Sequence, residues 1–213
     1  MSLLLHSSHR GPAIDWDAAP ALRPLRKLSP TLLMAEFEAA LAAVSGQRAA
    51  QCVHEAWMRG EPSVRVEPML RQAWEAASSP VPDWLPMTYV EWLPLCYEVC
   101  ARFSAKRRGR SNLYLVLLDY RDAPPAARGD VAGSAHGSEY GVYVGMSGYA
   151  PAQRFEQHKA GIRSAGAVRN RGIEVLEGPV SHLQRIPRAE AADIEVRLAE
   201  ALGDAGLFVK GGH

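Results

Sequence analysis

Three positions combine residue type and surroundings in ways that chemistry can use. Tyr143 lies in YGVYVGMS (140–147), which reads as a strand. With a period of two, Tyr140, Val142, Val144 and Met146 share one face, and Gly141, Tyr143, Gly145 and Ser147 share the other. The first face is made for burial. The second holds a phenol between residues with almost no bulk, which lets a ligand come close; glycines that serve only twist or a bulge are the competing reading. Arg154 and His158 are four apart, so they share one face of a helix. A guanidinium beside an imidazole suits an anion, because the fork of N–H groups matches phosphate oxygens; a solvated polar face is the alternative. Glu195 is the third. Its helix neighbours three and four residues away are Ala191, Ala192, Leu198 and Ala199, all small or apolar, whereas Glu190, Asp193, Arg197 and Glu200 suit the solvated face. A buried carboxylate is costly alone, so Glu195 calls for a cation: an arginine, a lysine or a metal.

Residues 1–28 have no clear period and read as an extended arm. Residues 29–105 read as a helical region. Ser29-Pro30 opens a helix with Leu32, Leu33, Phe37, Leu41 and Val44 at helical spacing, and Gly46 stops it. Further helices are expected over 47–58, over 67–77 with Met69, Leu70, Ala73 and Trp74 as its stripe, and over 88–105 with Val90, Leu93, Tyr97 and Cys100. SSPVPDWLP (78–86) breaks the series, and Pro94 kinks the last helix or delays its start.

After the basic turn KRRGRSN (106–112) the pattern changes. LYLVLLDY (113–120) is a continuous apolar run, as in a buried central strand. Residues 121–138 are small, polar and rich in breakers, and read as a long exposed hairpin loop. PAQRFEQHKAGI (151–162) reads as a helix with Phe155 and Ile162 as its packing stripe. A third strand is expected within 173–178 and a closing helix over 188–206. Strand, strand, helix, strand, helix is an α+β order.

The 213 residues carry a net charge of +1, unevenly distributed: residues 106–213 hold 15 of the 24 basic residues and 12 of the 23 acidic ones. Three cysteines without CxxC spacing exclude a disulfide framework or a zinc ribbon, and Cys96 and Cys100 read as core. Three leucines near the start are too few for a signal-peptide core, and no run of about 18 apolar residues follows. The expectation is a soluble, cytoplasmic protein that does not enter a membrane.

The order of these features is more specific than any one of them. Asn112-Leu113-Tyr114, then Val142-Tyr143-Val144-Gly145, then Arg154, His158 and Glu195 resembles the GIY-YIG nuclease superfamily over about residues 112–210. The resemblance implies a small domain over 106–213 with a short three-stranded antiparallel sheet flanked by helices. It implies a DNA endonuclease, with strandedness undetermined, that hydrolyses phosphodiester bonds with a divalent metal, Mg²⁺ first and Mn²⁺ second. Tyr114 would orient or deprotonate the attacking water, and Tyr143 would line the same pocket. Arg154 would stabilise charge on the phosphate. His158 would share the base role or bond the phosphate, and Glu195 would hold the metal. Backbone contacts fall to Lys159, Arg163, Arg169, Arg171 and Lys210, with 106–110 as a further clamp. The chain departs from the family in three ways: NLY replaces GIY, the loop between the strands is longer, and Gly206–Lys210 lacks the family's late asparagine, with Lys210 or His213 nearest to its place.

Two other classes stay open. One is a nuclease-like fold that grips nucleic acid without cutting it. The other is an interaction protein working through its helical half, for example a homodimer using Trp57, Trp74, Trp84 and Trp92.

Overall fold

The computed structural model describes residues 25–59, 61, 63–76, 90, 92–132, 134, 135 and 139–212, with the side chains of some helix residues left aside. The expected arm (all but its last four residues) and the 78–86 break lie outside the described residues. The chain divides into two compact units, residues 1–87 and 88–213.

The first unit contains α1 (Pro30–Ala42), α2 (Gly46–Met58) and α3 (Ser63–Ala76). Ser29 caps α1, its side chain accepting the Leu32 N–H at 3.2 Å, and Pro30 occupies the first turn as its sequence position implies. Leu33, Phe37 and Ala40 form the buried stripe, while Leu32 and Val44 of the expected stripe are exposed. Pro68 lies inside α3, and Met69, Leu70 and Ala73 are buried. One charge is also buried here. Glu55 is 2% exposed, and its carboxylate accepts the Arg59 Nε–H at 2.7 Å one helical turn later. Arg59 in turn donates to the Leu25 carbonyl at 2.9 Å.

The second unit contains α4 (Leu93–Ala101), β1 (Asn112–Asp119), α5 (Pro125–Ala132), β2 (Tyr140–Ser147), α6 (Pro151–Lys159), α7 (Gly166–Arg171), β3 (Gly172–Val175), α8 (Arg188–Asp204) and β4 (Val209–Gly211). The change of sequence pattern lies at residue 106, but the structural division precedes α4, which packs on α8 and on a 3-10 turn at Gly178–Val180. Pro94 starts α4 rather than kinking it, and Trp92, Leu93, Cys96, Tyr97 and Cys100 are all buried. Trp92 thus belongs to this unit's core. The side chains of Trp57, Trp74 and Trp84 lie outside the described residues.

The fold is mixed α+β, with eight α-helices among the described residues and a four-stranded mixed sheet ordered β3-β1-β2-β4. The expected three-stranded antiparallel sheet is thus one strand short. β1 pairs antiparallel with β2 and with β3, and β4 adds to β2 in parallel. The connection from β2 back to β4 runs through α8, which packs on both strands, as a parallel pair requires a long crossover. Residues 121–138 are not a plain loop either, since α5 occupies their middle and Val131 is buried.

Register sets which residues meet. Tyr114 stands opposite Gly145 and Val116 opposite Tyr143, so all four share one face. That face carries a core of Tyr114, Val116, Leu118, Tyr120 and Val168, against which Tyr143, Phe155 and Phe208 pack. Leu113, Leu115, Leu117, Val142 and Val144 are buried on the other face. No helix among the described residues is long and apolar enough to cross a membrane.

Candidate active site

Gly145 brings the two tyrosines together. A Cβ at this position would stand 2.5 Å from Tyr114 Cζ, 2.6 Å from its hydroxyl oxygen and 2.8 Å from Tyr143 Cε1. Only glycine lets the Tyr114 ring lie across β2. The ring centroids of Tyr114 and Tyr143 are then 6.0 Å apart, and each is about as far from the His158 ring, 6.0 and 6.1 Å. The glycine beside Tyr143 therefore makes room for a second tyrosine, which the strand pattern alone does not reveal.

His158 is 1% exposed, and both of its ring nitrogens are engaged. The Ala165 N–H donates to Nδ1 at 2.9 Å, so the neutral ring carries its proton on Nε2, which donates to the Tyr114 hydroxyl at 2.9 Å. Burial first, then the Arg154 cation, pulls the imidazole from its ordinary 6.5 to about 4, so it is neutral at physiological pH. Both ring nitrogens are thus engaged by the protein, and the side-chain contact the ring makes is with the Tyr114 hydroxyl, where it was expected to share the base role or bond the phosphate. Burial pushes the Tyr114 phenol well above its ordinary 10, with Tyr143 adding to the effect and Arg154 opposing it. Tyr143 is raised as well, by burial and by the nearby Glu195 charge.

Arg154 is fixed by three acceptors. One nitrogen, Nη1, donates to Gln157 Oε1 at 3.1 Å and to the Ile162 carbonyl at 3.2 Å, and Nη2 donates to the Arg163 carbonyl at 2.7 Å. The guanidinium also acts on the Tyr114 hydroxyl, where its charge opposes the rise of the phenol. Arg163 has φ +44°, a backbone strain that the Arg154 bond helps hold.

Glu195 is 8% exposed and lies on the buried stripe of α8 with Ala191, Ile194, Leu198 and Leu202. Arg197 and Asp193 pair at 3.0 Å on the solvated face. Burial raises the Glu195 carboxyl, and the Met146 backbone N–H opposes that rise. The supply of that N–H follows from the sheet. The Val142 N–H bonds the Phe208 carbonyl on the β4 side at 2.8 Å, so by the period of two the Met146 N–H points to the same edge. β4 stops at Gly211, opposite Val144, leaving the Met146 N–H to the carboxylate. Among the described residues no lysine, arginine or histidine forms an ion pair with Glu195. Among the described residues no three His, Cys, Asp or Glu side chains gather into a cage. Glu195 could hold a divalent ion only as a single carboxylate, the kind of ligation under which Mg²⁺ keeps several of its waters.

The five residues Tyr114, Tyr143, Arg154, His158 and Glu195 thus converge, while the proposed phosphate contacts scatter. Lys159 donates to the Arg169 and Gly172 carbonyls, both at 3.0 Å, and so caps the end of α7. Arg163 is exposed beside Arg154, and Arg169 packs against Gly161 in the same turn. Arg171 stacks over the Tyr120 ring at 5.8 Å, roughly 20 Å along the strand direction from Tyr114. Lys210 is exposed on β4 opposite Tyr143, its ammonium 4.9 Å from the Phe208 ring.

Three contributors were not singled out by the sequence. Asn112, at the place of the family's first glycine, donates to the Tyr149 carbonyl at 3.0 Å and accepts the Arg185 N–H at 2.9 Å. Tyr149 and Arg188 line a cavity of about 800 Å³ that also includes Arg110, Arg154 and Arg163. The NLY triplet was the available signal for Asn112, whereas nothing local marks Arg188 or Tyr149. No family model, curated protein or solved structure matches the chain.

Proposed function

We propose that the chain is a metal-dependent endonuclease of the GIY-YIG type that hydrolyses phosphodiester bonds in DNA. The observation that carries this reading is Glu195, a buried carboxylate with no ion-pair partner among the described residues, facing the Tyr143 phenol. A Mg²⁺ or Mn²⁺ ion held by Glu195 would polarise the phosphate and stabilise the leaving 3′ oxygen. Arg154 would stabilise charge on the phosphate, and its three protein bonds mean that it need not reorganise as that charge develops. Tyr114 accepts the His158 Nε2–H at its oxygen, which fixes the phenol, and its hydroxyl would turn from Tyr143 to the attacking water or the phosphate once substrate is bound. With its phenol pushed up by burial, Tyr114 orients the water and becomes a base only beside a second cation. Tyr143 closes the pocket between Tyr114 and Glu195.

The test is cleavage of supercoiled and single-stranded DNA with Mg²⁺ or Mn²⁺ by the wild type, Glu195→Ala and Arg154→Ala. The expected result is a loss of about 10² or more in each variant. Equal activity in all three preparations would indicate a contaminating nuclease and remove the mechanism.

A second reading is a nuclease-like fold that binds nucleic acid without cutting it. One observation favours it: the two groups first assigned as bases, Tyr114 and His158, are both buried and poorly poised to accept a proton. Binding without cleavage in the same assay selects that reading.

A further inference from the structure

Three large apolar side chains of the second unit stand open to solvent: Tyr149, Ile162 and Val196. Two of them, Tyr149 at 51% and Ile162 at 56% exposure, line the same cavity of about 800 Å³. Ile162 was expected to pack as a continuation of α6, but the helix ends at Lys159 and the chain turns through Gly161 at φ +82°. The other walls bring four arginines, Arg110, Arg154, Arg163 and Arg188, and no carboxylate lines the cavity.

The walls are held in place by specific bonds. The Asn112 amide joins the Tyr149 carbonyl to the Arg185 N–H, so one side chain ties the turn after β2 to the segment leading into α8. Ser147 Oγ accepts the Tyr149 N–H at 3.0 Å, which fixes the backbone that carries the exposed ring. Arg163 and Arg185 are two of three described non-glycine residues at positive φ, +44° and +58°. Arg163 lines the cavity, and Arg185 is one end of the Asn112 bridge. Such strain collects where surrounding structure holds a functional shape. An exposed tyrosine on a pinned backbone, a facing isoleucine and arginines with no acid among them form a site for a flat apolar ring attached to phosphate.

We infer that this cavity is a subsite for one unpaired nucleotide next to the phosphate held by Arg154, so that the substrate is DNA with a single-stranded segment at the site of action. This rests on the nuclease reading for its substrate class and deepens it. Tyr149 stacks the base, and Arg188 and Arg110 take the adjoining phosphate. A volume of this size accepts a small-molecule ligand or a nucleotide. A base held in a double helix is covered on both faces by its neighbours and cannot offer one to Tyr149.

The experiment is equilibrium binding by fluorescence anisotropy of the full chain in EDTA. The probes are fluorescein-labelled dT15 and a 15-base-pair duplex. The wild type is expected to bind dT15 more tightly than the duplex. Tyr149→Ala is expected to weaken dT15 binding by about tenfold, within the range a stacked base contributes, and duplex binding by less than twofold. Tyr149→Phe keeps the ring and is expected to bind dT15 as the wild type does. Arg188→Ala is expected to reduce the slope of log affinity for dT15 against log salt by about 0.7, the loss of one phosphate contact. Equal weakening of both probes by Tyr149→Ala, no weakening of either, or no binding by the wild type would overturn the inference. Because the readout is binding without metal, it can fail while Mg²⁺-dependent cleavage stands, and cleavage can fail while it stands.

Discussion

Glu55 and Glu195 are the same residue type, both on helices and both nearly sealed from solvent, at 2% and 8% exposure. Glu55 has Arg59 one turn away at 2.7 Å. Glu195 accepts the Met146 N–H, forms no ion pair among the described residues, and has its carboxyl driven up by burial. The first unit therefore buries a charge that is already neutralised. The second buries a carboxylate with no ion-pair partner among the described residues. On the proposed function it is the missing counter-charge, not burial, that separates the two glutamates.

The largest effect expected from this contrast is on catalysis. Glu195→Gln keeps the shape and removes the charge, and cleavage in Mg²⁺ should fall by about 10² or more. In EDTA at neutral pH the same variant should melt a few degrees higher than the wild type, because it no longer buries an unpaired carboxylate. A variant that loses stability along with activity would put Glu195 in the same class as Glu55.

Glu55→Gln should do the reverse. Breaking the pair strands Arg59, partly buried, at a cost of about 3 kcal/mol or more. Denaturant unfolding measures that loss, and the cleavage rate per folded molecule should not change.

Gly145→Ala tests the cradle. Its Cβ would overlap Tyr114 and Tyr143, so one ring must move, costing about 1–3 kcal/mol by overpacking and lowering the cleavage rate about tenfold or more. Titrating urea unfolding alongside single-turnover cleavage separates the two losses.

The smallest effect is on pH dependence, and two groups act with opposite signs. The His158 imidazole has a folded value of about 4 against an ordinary 6.5, so the unfolded chain takes up a proton first. Stability therefore falls as pH drops from 6.5 towards 4, and His158→Gln should flatten that slope. The Glu195 carboxyl is raised above its ordinary 4.5, so the unfolded chain loses its proton first. Stability without metal then falls as pH rises from 4.5 through the raised folded value, and Mg²⁺ should offset that fall. Unfolding midpoints across pH, with and without Mg²⁺, check both signs.

Much of the site was legible residue by residue. That Tyr143 shares a face with Gly141 and Gly145, and Glu195 an apolar stripe, follows from periods of two and 3.6, which depend only on the local chain; that Phe208 and Tyr114 rather than a ligand fill the room beside those glycines does not. The late strand escaped notice because Val209–Gly211 is three residues long and ends in a glycine, too short for any period to register. The helix in 121–138 escaped because PAARGDVA carries one apolar side chain larger than alanine or proline, Val131, which with Ala127 ties it to the core. Ile162 was assigned to a stripe that the helix does not live to reach.

By itself the sequence determined the α+β order, the faces of β2 and α8, and the identity of five converging side chains. Only the tertiary structure decided what those side chains can do. The register of β1 against β2 put Tyr114 over Gly145, and the Ala165 N–H chose the His158 tautomer. The end of β4 released one backbone N–H to Glu195, and the turn after α6 aimed Arg154. Each of these depends on residues from seven to about fifty positions apart coming together through turns and strand pairing, and local periodicity holds no information about such contacts.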